Sequence, residues 1–338
     1  MTDRKYDRIS KAKWLRYGSA VLGIHILGLS LLFFNAGNYP QLLGLGFLAY
    51  TLGLRHAFDA DHIAAIDNTV RKMVQEKSDP TGIGFYFSLG HSSVVLVMTI
   101  VTVVSMNWAQ QNIPELKEVG SLIGTAVSGG FLILIGILNL YIWADLHRLF
   151  RQMREGNYNE DNLDQLLLNR GLISRFCGPL YRLITKSWHV YPLGFLFGLG
   201  FDTASEVALL AISANAATQS IPVGAVLALP MLFAAGMSLM DTADGVFMTT
   251  SYNWAFSTPL RKIYYNLTVT GLSVVAALLI GIVELGQILI AKLGLNHGQW
   301  QWVMNLNFGN MGYVLVVLFI FSWGISYLFW KVLHLENA

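Results

Sequence analysis

The sequence predicts an all-α integral membrane protein with eight transmembrane helices. Of its 338 residues, 54% are hydrophobic and only 12% are charged, and the mean hydropathy is +0.51. This composition is too apolar for a soluble domain of that size. Apolar runs of about 20 residues, the length that a helix needs to cross a bilayer, recur along the chain. A membrane β-barrel would instead show shorter segments of alternating polarity. We expect one polytopic domain over residues 1–338, embedded in a lipid bilayer.

Eight apolar segments have the length of a membrane span. They are Tyr17–Phe34, Leu42–Ile66, Ile83–Ser105, Leu122–Trp143, Pro192–Ala214, Val223–Thr250, Leu267–Ala291 and Gly312–Val332. A basic segment, residues 1–16, precedes the first span. We do not expect cleavage after this span, because its apolar run is longer than a secretory signal core and no small-residue cleavage site follows.

The distribution of basic residues predicts the orientation in the membrane. All of the 22 lysines and arginines except Arg55, Lys117 and Lys292 fall in segments that the eight-helix arrangement places on one side. The positive-inside rule makes that side the cytoplasm. Both termini and the long connection at residues 144–191 are therefore predicted to be cytoplasmic, in a multi-pass protein of the cytoplasmic (inner) membrane. Parts of this connection resemble interfacial amphipathic helices, and a partner-docking loop is the alternative.

Several classes of partner and chemistry are excluded by composition. The net charge is only +2, and the basic residues are sorted by membrane side, so no nucleic-acid partner is expected. The single cysteine, Cys177, excludes an internal disulfide framework and any CxxC site. The chain has no GxxxxGK[ST] phosphate loop and is not expected to hydrolyse ATP by that machinery. The driving energy would come from a gradient or from another subunit.

The second span carries an unusual group of polar residues in the sequence LRHAFDADHIAAIDN. These are Arg55, His56, Asp59, Asp61, His62 and Asp67. A charged side chain at the centre of a bilayer costs about 2.5–3.5 kcal/mol on insertion scales, so such a group is expected to line a wet or metal-binding cavity. Imidazole and carboxylate together suit divalent transition metals such as nickel, cobalt, zinc and ferrous iron. The segment therefore predicts a metal site.

Two geometries of this segment are open. On a regular helix, with 100° per residue, His56, Asp59, His62 and Asp67 share one side and Asp61 faces away. Alternatively, the helix unwinds after Gly53, and His56, Asp61 and His62 converge. Arg55 is expected to neutralise Asp59 or another carboxylate.

Three further spans contain polar residues at membrane depth. The third has His91 and Ser92 in FSLGHSSVV, the fifth has Asp202 and Glu206, and the sixth has Asp241 and Asp244. Acidic residues three or four apart must share a proton, a cation or water. The alternative is that they hydrogen-bond helices together, or, for His91, that it packs against a backbone carbonyl. Gly194 and Gly198 form a GxxxG that predicts close approach of a neighbouring helix.

The polar segments also indicate an internal repeat. GLRHAFDADHIAAI in the second span is similar to GLGFDTASEVALLAI in the fifth, and FSLGHS in the third is similar to FAAGMS in the sixth. The second and fifth spans are predicted to run in opposite directions. This relation is typical of inverted-topology repeats whose shared interface holds a binding site at the midplane.

The motif RHAFDADHI closely resembles the HxxxxDH signature of the nickel/cobalt transporter (NiCoT) family. FSLGHSSVV, LGFDTASE and GMSLMDTADG are similar to that family's other membrane signatures, so the resemblance extends from about Gly44 to Gly245. It implies eight helices and high-affinity uptake of Ni²⁺ or Co²⁺ as the transported substrate, with no cofactor. It also implies that His56, Asp61 and His62 form the signature, with His91, Asp202, Glu206, Asp241 and Asp244 in the other motifs.

We therefore predict two sets of site residues. The metal ligands are expected among His56, Asp59, Asp61, His62 and His91. Residues that line the pathway or support the ligands are expected to be Arg55, Asp67, Ser92, Asp202, Glu206, Asp241 and Asp244.

Two other functions are alternatives to uptake. A histidine-rich cytoplasmic loop would favour an exporter of nickel, cobalt or another divalent metal, whereas residues 144–191 contain only His147 and His189. An intramembrane metalloenzyme would need histidine boxes or an HExxH motif. The eight histidines of this chain are scattered instead, so no enzyme activity is expected.

Overall fold

The computed structural model describes residues 2–76, 78–104, 125–141, 184–199, 204–219, 221–255, 259–295 and 298–306, with isolated positions between 122 and 151 and between 313 and 324. Within these residues all regular structure is helical and no strand occurs, which confirms the all-α prediction. Asp202, Cys177, most of the 144–191 connection and most of the eighth predicted span lie outside the described residues.

The helices are numbered here in chain order. They are α1 (Thr2–Ala36), α2 (Gln41–His56), α3 (Ala60–Gln75), α4 (Ile83–Val104), α5 (Thr125–Tyr141), α6 (Tyr191–Gly198), α7 (Ala204–Thr218), α8 (Val223–Val226), α9 (Ala228–Ala255), α10 (Pro259–Lys292) and α11 (Gln301–Met304). Short 3₁₀ segments occupy Ser187–Val190 and Gly298–Trp300.

Four helical segments of the described chain are long and apolar enough to cross a membrane. They are Trp14–Ala36, Ile83–Val104, Val223–Asn253 and Thr270–Lys292, and Thr125–Tyr141 is a shorter apolar helix. The four correspond to the first, third, sixth and seventh predicted spans. Large apolar side chains of α1 point outward, as with Phe34 at 89% exposure, which suits a lipid-facing helix.

The second predicted span is not one continuous helix, so the regular-helix geometry is wrong. Helix α2 ends at His56, and α3 begins at Ala60 and continues to Gln75. The break is at residues 57–59 rather than after Gly53. Asp59 has an extended backbone, with φ −66° and ψ 143°, and occupies the N-cap position of α3. Gly53 lies within α2 and packs against the backbone of another helix.

Helix α9 lies at the centre of the described bundle and packs against α1, α2, α3 and α4. Two apolar clusters surround it. One is built around Ile63, Ile66 and Phe87, and the other around Leu229 and Phe233. Between them pass the polar residues of α3, a helix whose sequence is far less apolar than its neighbours but whose side chains are largely buried.

The crossing of α2 with α9 depends on glycine. A Cβ atom added to Gly53 would lie 2.1 Å from the carbonyl oxygen of Phe233, and one added to Gly236 would lie 2.6 Å from the carbonyl oxygen of Tyr50. No side chain can occupy these positions without separating the two backbones. The two helices therefore meet backbone to backbone just before the break at residues 57–59.

The crossing of α6 with α4 repeats this arrangement. A Cβ on Gly194 would lie 2.0 Å from the Phe87 carbonyl oxygen, and a Cβ on Gly90 would lie 2.1 Å from the Tyr191 carbonyl oxygen. The close approach predicted from the GxxxG motif is thus confirmed. The sequences also match, since YTLG in α2 corresponds to YPLG in α6, and FAAG in α9 corresponds to FSLG in α4.

Candidate metal site

Three histidines from three helices converge at the break between α2 and α3. His56 ends α2, His62 lies in the first turns of α3, and His91 lies in the middle of α4. One ring nitrogen from each lies within 4.8 Å of the other two. A transition metal binds imidazole nitrogen at about 2.1 Å, so small side-chain movements would bring all three nitrogens onto one ion.

Asp59 orients His56. Its Oδ2 lies 2.8 Å from His56 Nδ1, which therefore carries the proton and donates it. The break in the helix makes this contact possible, because Asp59 is at the N-cap of α3 and its backbone is extended. With Nδ1 bonded to the carboxylate, His56 Nε2 presents its lone pair to the centre of the cluster. A carboxylate that holds the second nitrogen in this way is a common support for a metal-binding histidine.

Asp241 stands in the same relation to His62. Its carboxylate oxygens lie 3.3 and 3.4 Å from His62 Nδ1. The other nitrogen, His62 Nε2, is buried and has no hydrogen-bond partner among the described residues. A buried lone pair without a partner is costly, and a cation would satisfy it.

His91 and Glu206 complete the centre. His91 Nε2 lies 2.8 Å from Glu206 Oε1 and 2.9 Å from His56 Nε2. Glu206 Oε1 is also 4.0 Å from His56 Nε2. Two imidazoles and one carboxylate from α2, α4 and α7 therefore face a single point.

Aromatic rings close the site against water. The Phe87 ring meets His62 edge-on at 4.8 Å, and the Phe233 ring lies 5.6 Å from that of His56. The three histidines are 0–3% exposed. The cluster can therefore hold a dehydrated cation between neutral imidazoles and ionised carboxylates. Protons compete for the same nitrogens and oxygens.

The remaining residues of the signature segment lie beside this cluster. Asp61 is half-buried in the first turn of α3, where one of its carboxylate oxygens accepts the backbone N–H of His62 at 3.0 Å. Arg55, expected to neutralise a carboxylate such as Asp59, donates to the Ser205 hydroxyl at 3.2 Å. Ser92 is buried beside His91, and its hydroxyl has no hydrogen-bond partner within the described part of the chain.

Two predicted acids lie farther along α3 and α9. Asp67 forms a buried ion pair with Arg71, at 2.6 Å, and not with the histidines. Asp244 follows Asp241 by three residues, and its Oδ2 is buried without a hydrogen-bond partner in the described chain. The sequence had placed Arg71 and Lys72 among the loop cations, but both are buried in α3.

Some residues that contact the site were not predicted from the sequence. Ser205, Phe87 and Phe233 contact site residues but carry no charge that would single them out. A signal was available for the two phenylalanines, because each begins a motif of the internal repeat, FSLG or FAAG. These motifs also supply Gly90 and Gly236, on which the two helix crossings depend.

Comparison with known proteins gives matches over nearly the whole chain. The NicO family, described as high-affinity nickel-transport protein, matches residues 42–329. A nickel transporter, NixA, of Staphylococcus aureus is 55% identical over 100% of this chain and 99% of its own length. A high-affinity nickel-transport protein of Helicobacter pylori is 49% identical over 94% and 97%, and a cobalt transport protein, NhlF, of Rhodococcus rhodochrous is 40% identical over 96% and 94%. No solved structure matches the chain.

Proposed function

Because this chain belongs to the NicO family of high-affinity nickel-transport proteins, we propose that it takes up Ni²⁺ and Co²⁺ across the cytoplasmic membrane through the three-histidine cluster. Membership of this family makes the chain a transporter and not an enzyme, with the metal as its substrate. The observation that supports the site most directly is the convergence of His56, His62 and His91. The approach of Glu206 to the same point adds a negative charge.

The proposed ligands are the three histidines and Glu206. Asp59 and Asp241 act one step away, because each is bonded to the Nδ1 of a histidine and directs the Nε2 toward the metal. Asp61, half-buried at the start of α3, adds negative charge next to the site. The arriving cation would lie at the central point, between His91, His56 and Glu206.

The choice of both nickel and cobalt follows from the donor types. Imidazole nitrogen and carboxylate oxygen suit both ions, which are neighbours in the order of divalent affinities and are separated by geometry rather than by ligand identity. The names of the relatives agree with this breadth, since they include nickel transporters and a cobalt transport protein.

We propose that the bundle is an inverted-topology repeat with eight spans. The support is the matched pair of glycine crossings, α2 with α9 and α6 with α4, which use the same residue types in the same order. The metal cluster then lies where the two halves meet, since His56 and His62 come from one half and Glu206 and Asp241 from the other. Inverted repeats commonly place their substrate at this interface.

The proposed orientation has both termini in the cytoplasm and can be tested with fusion reporters. Reporters placed after Gln41 and after Ser220 should read as external, and one placed after Arg154 should read as cytoplasmic, because the basic residues concentrate on the inner side. Each fusion would be compared with the untagged full-length protein. Uptake by the untagged protein, measured in parallel, would control for disruption. A cytoplasmic reading at Gln41 or Ser220 would contradict the eight-span arrangement.

Direct measurement of uptake tests the function and its direction. Cells that express the chain should accumulate radioactive nickel and cobalt from submicromolar supply above the level of cells with an empty vector, and each metal should compete with the other. Lower accumulation than in the vector control would instead identify an exporter. No difference for either metal, in cells that contain the protein in their membrane, would contradict the proposal.

A further inference from the structure

A second buried ionic cluster lies beyond the metal site along α3. Arg71 is 0% exposed and has the largest fully buried side chain of the described chain. Its Nη2 donates to Asp67 Oδ2 at 2.6 Å, and its Nε donates to the Tyr252 hydroxyl at 3.1 Å. The Tyr252 hydroxyl in turn donates to Asp67 Oδ1. We call Asp67, Arg71 and Tyr252 the inner cluster.

The inner cluster is connected to the metal site by a series of acids. Asp67 follows His62 by five residues on α3, a rise of about 7.5 Å. Asp244 follows Asp241 by one helical turn on α9, in the same direction. The neighbours of these two acids touch, since a Cβ on Gly245 would lie 3.9 Å from the Ile66 side chain. Asp241, Asp244 and Asp67 therefore succeed one another in the direction from His62 toward the end of α3.

The charge of the inner cluster is not required for packing. A buried ion pair loses most of its Coulomb gain to desolvation, and an apolar pair of similar shape commonly stabilises a protein as well or better. Arg71 also leaves its Nη1 without a hydrogen-bond partner in the described chain. Asp244 Oδ2 nearby is likewise buried and without such a partner. A guanidinium placed in this way neutralises Asp67 without satisfying every polar atom around it.

We propose that Asp67 lies on the path by which the metal leaves the histidine cluster. In the resting protein the Arg71 guanidinium is bound to the Asp67 carboxylate, and it stays there until a metal ion displaces it. The inference rests on the proposed function, because it assigns a role to residues outside the histidine cluster in the same transport step. With Arg71 in place, Asp67 cannot trap a cation in the resting protein. When the metal arrives from Asp244, it replaces the guanidinium at the carboxylate, and Arg71 returns as the metal leaves.

The experiment measures nickel binding and uptake for a series of variants of the full-length protein. Equilibrium dialysis of detergent-purified protein with radioactive nickel counts the metal ions bound per chain. The series is the parent, R71K, R71Q and the double variant D67N/R71Q. The matched control is K72Q, because Lys72 is also a buried cation of α3 but donates to the backbone carbonyl of Ile184 at 2.6 Å.

The proposal predicts an ordered effect on a second bound nickel ion. The parent should bind this second ion only weakly, R71K should bind it at lower nickel concentration, and R71Q should bind it most tightly. The reason is that the lysine ammonium lacks the forked geometry of the guanidinium and competes less well for Asp67, and glutamine carries no charge to compete with. R71Q should trap the metal, and its uptake should fall below the parental rate, because an ion held by the unpaired Asp67 carboxylate leaves slowly. K72Q should behave as the parent does in both assays.

The double variant separates a role in transport from a role in stability. D67N/R71Q removes both charges, so it should keep the parental unfolding temperature and bind a single nickel ion. Its uptake should still fall below the parental rate, because the acid before the exit is gone. Parental uptake by D67N/R71Q would show that the pair is only structural and would overturn the proposal. If R71Q and the double variant do not fold, the test rests on R71K. An affinity of R71K for the second nickel ion equal to that of the parent then overturns the proposal.

Failure of the proposed function would look different. If the protein does not transport nickel, the parent, K72Q and all the variants show no uptake, and the parent binds no nickel ion at the histidine cluster. If only the inference about Arg71 fails, the parent still binds one ion and takes up nickel, and the variants show no ordered change in the second.

Discussion

Alanine in place of His56 should reduce nickel uptake to the level of cells that lack the protein, with normal insertion in the membrane. The imidazole supplies the Nε2 that faces both His91 and Glu206, and no neighbouring oxygen can replace a nitrogen donor for nickel at that point. Loss of a residue that only supports a metal ligand typically costs 10- to 100-fold in affinity or activity, so loss of the ligand should exceed about 100-fold. Uptake of radioactive nickel from submicromolar supply, normalised to the amount of membrane protein, measures the effect.

His25 offers a matched control. It is also a histidine within a membrane span, but it is only half-buried, and it bonds the backbone oxygen of Val21 at 2.9 Å and the Tyr50 hydroxyl at 3.3 Å, away from the cluster. His25→Ala should leave uptake near the parental rate. If well-expressed His56→Ala protein accumulates nickel as the parent does, the three-histidine cluster is not the binding site.

Asp59→Asn is expected to have a smaller effect on nickel affinity than His56→Ala. The carboxylate touches His56 Nδ1 at 2.8 Å and acts through that ring, so asparagine should cost about 10- to 100-fold in apparent nickel affinity and less than His56→Ala. The amide oxygen can still accept the Nδ1 proton, but it lacks the charge that makes the ring a better donor to the metal. Equal damage by Asp59→Asn and His56→Ala would instead make Asp59 a direct ligand.

The sequence predicted the helical class, and it singled out the histidines and acids that meet in the candidate site, but it did not predict the path of the backbone through it. The alternation of histidine and aspartate at His56, Asp59 and His62 is compatible with a continuous helix and with a broken one. The choice depends on the N-cap conformation of Asp59, which is stabilised by its contact with His56 across the break. A regular helix also predicted Asp67 on the side of His56, and the break removes that alignment.

Contacts between residues that are distant in the sequence could not be predicted either. Glu206 meets His91 because α7 packs against α4, and sequence spacing does not encode that contact. The count of basic residues treated Arg71 as a loop cation, since the positive-inside rule uses position along the chain and not burial. A charge that is neutralised by Asp67 inside the bundle is invisible to such a count.

Gly84→Ala should prevent assembly of the site by forcing α4 away from α9. A Cβ atom at residue 84 would lie 1.8 Å from the carbonyl oxygen of Asp241 and 2.5 Å from its carbonyl carbon. Overpacking against side chains usually costs about 1–3 kcal/mol, and here the obstacle is backbone, which cannot turn aside. Since Asp241 also holds His62, the displacement should abolish nickel binding as well as lower the unfolding temperature.

Gly44→Ala in α2 controls for the chemistry of the substitution, because nothing lies within 4 Å of the position that its Cβ would take. Alanine favours a helix over glycine by about 1 kcal/mol, so without a clash the change should be neutral or stabilising. The amount of folded protein, its unfolding temperature and its nickel binding should therefore stay at parental values in Gly44→Ala and fall together in Gly84→Ala. Parental stability and binding in Gly84→Ala would mean that α4 and α9 are farther apart than described, and that Asp241 is held near His62 by something other than this crossing.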